Sequence, residues 1–235
     1  MVQRAAVDRH RGRDGSPPGS DHEPADRPRP LTGPLTTSGP SGDPRERWNQ
    51  RYRERGLRAF ERSPSPWLAE QRALLTRVPG RRALDVACGD GRNAGYLASE
   101  LGFQVDAVDV SDVATDALRA TAAARGLAVH AWPLDLEQGG LPAGPYDVIV
   151  QINYLQRDLF ASLARALTPG GLLILETFTR PDLETLGNHV EAHYLLDPGE
   201  LPGAFADLEV IRHREAIVEH RGRRRAVAGL VARRG

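Results

Sequence analysis

Two carboxylates flank a glycine-rich turn in Asp85-Val86-Ala87-Cys88-Gly89-Asp90-Gly91-Arg92-Asn93-Ala94. Glycines in such a turn permit positive φ and let a ligand approach the main chain. The spacing Gly89-x-Gly91-x-x-Ala94 satisfies the dinucleotide fingerprint, so the glycines alone do not choose a ligand. The acids do. A pyrophosphate at the following helix N-terminus would face Asp85 and Asp90 at its closest approach. An ammonium or a sulfonium would be favoured by the same two carboxylates, directly or through water. Asp109 closes the next apolar run, 18 residues after Gly91, where one carboxylate can take both hydroxyls of a ribose. Asp135-Leu136 follows the run after that, placed to meet the edge and face of an adenine.

These residues need elements to hold them. From residue 83 onward, short apolar runs alternate with helical patterns: strands at 83–87, 103–110, 127–132, 146–152 and 172–175, with helices at 92–101, 112–125 and 156–167 between them. Such alternation specifies parallel strands with right-handed crossovers, an α/β doubly wound sheet. Its ligands lie beyond the carboxyl ends of the strands, where strand order reverses. Two runs, 208–218 and 224–231, meet at His220-Arg221-Gly222 as a closing antiparallel hairpin. Before the sheet, Asp43-Pro44 starts a helix that carries Trp48 and Tyr52 on one face. Ser65-Pro66 starts a second helix, with Trp67, Leu68, Leu74, Leu75 and Val78 as its apolar set, ending at Pro79-Gly80.

Residues 1–43 are unlike the rest. They hold 7 of the 18 prolines, no aromatic residue and four large aliphatics, too little apolar surface to offset the entropy of ordering. A disordered tail is expected there, with the folded domain over 44–235. The chain has 31 basic and 31 acidic side chains and a net charge of zero, which argues against nucleic acid and anionic membrane as partners. A small-molecule partner remains, with the protein a monomer or homodimer. The lone Cys88 excludes an internal disulfide and fits a reducing, cytoplasmic setting.

The stretches Leu84–Gly91, Val108-Asp109-Val110-Ser111, Leu134-Asp135-Leu136-Glu137 and Tyr146-Asp147-Val148-Ile149 resemble the class I S-adenosylmethionine-dependent methyltransferases. Arg47-Trp48-Asn49-Gln50-Arg51-Tyr52, Tyr154-Leu155-Gln156-Arg157, Glu176-Thr177-Phe178 and the run from Leu195 to Leu201 resemble the branch around the tellurite-resistance and thiopurine S-methyltransferases. The resemblance covers residues 43–234. It implies a Rossmann-like seven-stranded sheet whose last strand is antiparallel, S-adenosylmethionine as cofactor, and a first helix whose Trp48 and Tyr52 lid it. Asp85, Cys88, Gly89, Asp90, Gly91, Asp109, Val110, Asp135, Leu136 and the Gln151 carbonyl complete the expected cofactor set. Cys88 is expected to pack and not to act as a nucleophile.

Methyl transfer from a sulfonium is an in-line displacement whose reactivity the cofactor carries, so the protein mainly aligns the acceptor and excludes water. Glu176, at the end of the fifth strand, is the acid/base candidate; its structural alternative is an ion pair with a nearby arginine. Tyr154 and Arg157 are the further catalytic candidates near the same edge, Arg157 either holding an anionic acceptor or lying in a surface salt bridge. Gln151-Ile152-Asn153-Tyr154 lacks both prolines of the tetrad that amino-methyltransferases of nucleic acids carry, which lowers the odds of base methylation. His189-x-Glu191-x-His193 has a spacing that suits neither one helical face nor the usual zinc patterns, so no metal is expected. The alternatives are a module that binds S-adenosylmethionine without catalysis, and a nicotinamide-dependent oxidoreductase, which Asp85 and Asp90 disfavour.

Overall fold

The computed structural model describes residues 43–184, 186–187, 191–220 and 222–235. The tail expected over 1–43 lies outside them apart from Asp43, as do His189 and Arg221. Helix α1 (Pro44–Arg55) starts as its sequence requires: Asp43 Oδ1 accepts the Arg45 amide at 2.9 Å and Pro44 takes the first helical position.

The single helix expected after Ser65 is instead two short ones, α2 (Pro66–Ala69) and α3 (Arg72–Leu75). Gln71 stands at the break with φ −92° and ψ 9°, and its Nε2 donates to the Trp67 carbonyl at 2.8 Å. Trp67, Leu68 and Leu75 are buried all the same. Apolar spacing reports the buried face, and a side-chain bond to the backbone can interrupt a helix without moving that face.

The alternating region follows in the expected order. It comprises β1 (Arg82–Val86), α4 (Arg92–Leu101), β2 (Gln104–Asp109), α5 (Asp112–Ala124), β3 (Val129–Pro133), α6 (Leu136–Gly139), β4 (Tyr146–Ile152) and α7 (Phe160–Ala166). Ser111 Oγ accepts the Ala114 amide at 3.1 Å to cap α5, and Gly102 ends α4 in the left-handed region. The helix expected from residue 156 opens instead as a 3-10 turn, Arg157–Leu159. Strand β5 (Leu167–Phe178) is far longer than the expected four residues. Pro169-Gly170-Gly171, expected to stop the helix before it, lies within the strand. The register shifts there, Tyr146 facing Leu167 and Val148 facing Leu172, so the extra residues are absorbed as an irregularity.

After α8 (Pro181–Glu184) and α9 (Glu200–Ala204), β6 (Glu209–His220) and β7 (Arg223–Arg233) form the expected hairpin. The seven strands lie in the order β3-β2-β1-β4-β5-β7-β6, with β7 antiparallel to both its neighbours. This is the doubly wound, Rossmann-like sheet that the alternation implied. One face packs Leu97, Phe103, Leu118, Val148, Val150 and Ile174; the other packs Tyr146, Ile149, Phe160, Leu163, Leu173 and Phe205. Successive β4 residues therefore enter different cores, which explains its uninterrupted apolar run. Strand order reverses between β1 and β4, so the glycine turn after β1 sits at the switch point. Among the described residues no helix is long and apolar enough to cross a membrane.

Candidate cofactor and acceptor site

The chain leaves β1 through three left-handed residues, Ala87 (φ 53°), Gly89 (φ 58°) and Gly91 (φ 80°). Gly91 is the N-cap of α4, and a Cβ built there would stand 2.3 Å from Leu118 Cδ1. Gly91→Ala adds that clash to an unfavourable φ, so it should cost about 2–4 kcal/mol and lower Tm by roughly 5–10 °C. Gly102→Ala is the control: φ is 69° but the space is open, so only the conformational penalty of about 1 kcal/mol should appear. Equal melting temperatures for the two variants would remove the close approach of α4 and α5 from the account.

The acids of the turn have distinct surroundings. Asp85 is buried, and its Oδ2 accepts the Ala94 amide in the first turn of α4 at 2.9 Å. Burial pushes its carboxyl up to about 7, against the pull of that amide and of Arg92. An acid whose folded pKa exceeds its unfolded value near 4 stabilises the fold most below about pH 4, and the contribution is lost as pH rises through 7. Asp85→Asn keeps an acceptor for Ala94 and removes the buried charge. It should therefore stabilise the protein at pH 8 by on the order of 2–4 kcal/mol, with the gain shrinking toward acid pH and cofactor affinity falling. Thermal melts from pH 5 to 8 check this; a gain independent of pH would contradict it.

Asp90 is 5% exposed and pairs with Arg62 at 2.9 Å, a partner from the loop after α1 that no sequence spacing suggests. Asp109 ends β2, at the carboxyl edge of the sheet. It is only 6% exposed, with the Gly89 and Ser111 backbone turned toward it. Its Oδ2 accepts the Gly89 amide and its Oδ1 the Ser111 amide, each at 2.9 Å. Burial raises its pKa, with the Ser111 and Gly89 amides opposing. Val110 follows as a bend between Asp109 and the capping Ser111. Cys88 is buried, its amide bonded to the Val108 carbonyl at 2.9 Å, and burial pushes its thiol well above the usual range. A thiol so placed packs and is not a nucleophile.

Helix α1 lies over this turn. The ring centroids of Trp48 and Tyr52 are 6.1 Å apart, and a Cβ at Gly89 would meet the Tyr52 hydroxyl at 2.6 Å. The residue that fixes the helix there is Asn49, which sequence reasoning passed over. Asn49 is 3% exposed, and its Oδ1 accepts the Ser111 hydroxyl at 2.6 Å and the Val113 amide at 3.4 Å. A polar residue between two aromatics of a charged helix gives no sign in sequence that it will be buried.

At the ends of β3 and β4, Asp135 caps α6 by accepting the Glu137 amide at 3.0 Å, and Leu136 is buried beneath. Gln156 Nε2 donates to the Leu136 carbonyl at 3.2 Å, the Tyr154 hydroxyl donates to Gln156 Oε1 at 2.6 Å, and Gln151 Nε2 donates to the Tyr154 carbonyl at 3.1 Å. Tyr154 thus braces this edge, and burial raises its phenol pKa. Gln151 is fully buried and its Oε1 has no hydrogen-bond partner among the described residues. An unpaired buried acceptor at the switch point fits a donor from a bound ligand.

At the end of β5, Glu176 lies beside Ile152 of β4, the Asn153 amide bonding its carbonyl at 2.8 Å. Its Oε2 accepts Arg214 at 2.7 Å, so the ion pair weighed as the alternative is present. Arg214 also stacks 4.3 Å over Trp67 and lies 3.5 Å from Glu70. Burial nevertheless outweighs Arg214, and the Glu176 pKa is raised. Its Oε1 makes no bond among the described residues. Arg157 has a different task. It makes a bidentate pair with Glu200 at 2.6 and 2.8 Å and donates to the carbonyls of His193 and Leu195. With four bonds made to residues 193–200, it ties that segment down instead of presenting a free guanidinium to a substrate. His193 Nδ1 lies 3.5 Å from Glu191, and no group of three His, Cys, Asp or Glu fit for a metal occurs among the described residues.

Residues 83–171 match the family model described as a methyltransferase domain. The ubiquinone biosynthesis O-methyltransferase of Caulobacter sp. (strain K31) is 33% identical over 134 residues, which are 54% of this chain and 50% of that protein. The ribosomal RNA small subunit methyltransferase C of Chromohalobacter salexigens is 40% identical over 106 residues, 41% of this chain and 31% of that protein. The chain thus spans half or less of the length of these relatives. TehB from Haemophilus influenzae superposes with a TM-score of 0.64 at 18% identity, over 80% of this chain and 67% of that one, a likeness of fold. S-adenosylmethionine is the cofactor that this family and fold imply, and the glycine turn, the carboxylate at the end of β2 and the unpaired Gln151 oxygen suit it. Residues 83–171 are thus similar to a methyltransferase domain, carried on a sheet with the fold of TehB.

Proposed function

We propose that this chain transfers a methyl group from S-adenosylmethionine to a small-molecule acceptor, with Glu176 taking the proton that the acceptor loses. The observation that carries the reading is Asp109. Its carboxylate is locked between the Gly89 and Ser111 amides at the switch point, with one lone pair left on each oxygen. Asp109 then holds the two ribose hydroxyls, Asp135 and Leu136 the adenine, and Asp85 with the Gln151 carbonyl the ammonium. Bound S-adenosylmethionine supplies an electrophilic methyl group on a sulfonium. Trp48 and Tyr52 of α1 exclude water from that end of the cleft. Glu176, with its raised pKa and unoccupied Oε1, suits proton removal from a hydroxyl, thiol or amine.

The test is an acceptor screen with methyl-labelled S-adenosylmethionine over phenols, thiols, thiopurines, tellurite, selenite, small amines and carboxylates. One relative is a ribosomal RNA methyltransferase by name, so RNA is an arm of the same screen. Label in a small acceptor supports the reading, and label in RNA alone overturns it. Tight cofactor binding with no transfer to any acceptor would favour the non-catalytic module.

A further inference from the structure

A recess lies along α4, with neither Asp109 nor Asp135 in its lining. It has a volume of about 240 Å³ and is lined by Phe60, Arg62, Arg92, Tyr96, Ser99 and Arg125 among others. Phe60 forms one wall. Its φ of 62° is uncommon for an aromatic residue, and the ring lies on α4 only because position 95 is glycine: a Cβ there would stand 2.0 Å from Phe60 Cδ1. Arg125 stacks 5.7 Å above the same ring. Three guanidinium groups therefore border one recess, with Glu100 the one acid in its lining. Arg62 is neutralised by Asp90 at 2.9 Å. Arg92, partly buried, makes no hydrogen bond or ion pair with any described residue, and Arg125 donates no side-chain bond to one either. Asp85, Asp90 and Glu176 act on the Arg92 charge through space without bonding it, so its five donors in a fixed fork are left to suit an oxyanion.

We propose that this recess binds a small organic anion, a carboxylate or a phosphate monoester with a flat body. Arg92 and Arg125 hold the head group, and Phe60 and Tyr96 pack the body. Two unpaired arginines against one glutamate leave one positive charge in the lining, and the aromatic walls account for the body.

The test is calorimetric titration of the full chain with benzoate, phenyl phosphate and, as the uncharged match, benzyl alcohol, with and without S-adenosylhomocysteine. The expected result is saturable binding of at least one anion and none of benzyl alcohol. Arg92→Ala and Arg125→Ala should each weaken it by roughly tenfold or more. Binding of both anions assigns the shared oxyanion chemistry; binding of one assigns its head group. Arg125 is exposed, so its variant stays folded even if Arg92→Ala does not. Three results overturn the proposal: no saturable binding of either anion, unchanged affinity in the folded arginine variants, or competition with S-adenosylhomocysteine, which would assign Arg92 to the cofactor. The titration involves no turnover, so its failure leaves the methyl-transfer reading standing.

Discussion

Glu176→Gln is expected to slow turnover by about 10²–10³-fold while leaving S-adenosylhomocysteine affinity nearly unchanged, the loss typical of removing a general base. Glutamine keeps the shape of the side chain and one oxygen to accept from Arg214, now 2.7 Å from Oε2. What it removes is the basic lone pair of an oxygen that no described residue occupies. The pH profile separates catalysis from structure. In the wild type, activity should rise with pH through a carboxyl pKa above the usual range, because burial outweighs Arg214. That limb should vanish in Glu176→Gln. If Glu176 serves only as the partner of Arg214, the variant will melt at a lower temperature, turn over as the wild type does and keep the limb.

Much of the frame was legible because it rests on patterns with one physical reading. The apolar run of β4 is buried in two cores, the alternation of strands and helices fixes parallel crossovers, and Asp43-Pro44 and Ser111 cap their helices as their side-chain chemistry dictates. The left-handed glycine turn was legible for the same reason. Contacts between segments distant in sequence were not. Asn49 reaches Ser111 across 62 positions, Arg214 reaches Glu176 across 38, and Arg157 reaches Glu200 across 43. Spacing identified Asp109, Glu176 and Arg157 as candidates but carried no information on which arginine or amide would reach each of them. The break at Gln71 coincides with a single local bond that periodicity averages away.

The second large effect concerns Asp109, and the structure changes how it must be probed. Both oxygens already accept a backbone amide, so Asp109→Ala removes the ribose contacts and loosens the Gly89 turn together. Asparagine is no cleaner, since its NH₂ would face one of those two donors. Either variant should bind S-adenosylhomocysteine roughly ten- to thousandfold more weakly, from two charge-assisted bonds of about 1.5–3 kcal/mol each before water compensates. The turn's own contribution is separated by changing the ligand as well as the protein. The deciding measurement is a calorimetric cycle of wild type and Asp109→Ala with S-adenosylhomocysteine and its 2′-deoxy analogue. The account predicts that deleting the hydroxyl costs the wild type about tenfold in affinity or more and costs the folded Asp109→Ala variant almost nothing. An equal penalty in both proteins, or no penalty in the wild type, would contradict the assignment of Asp109 to the ribose and the cofactor placement built on it.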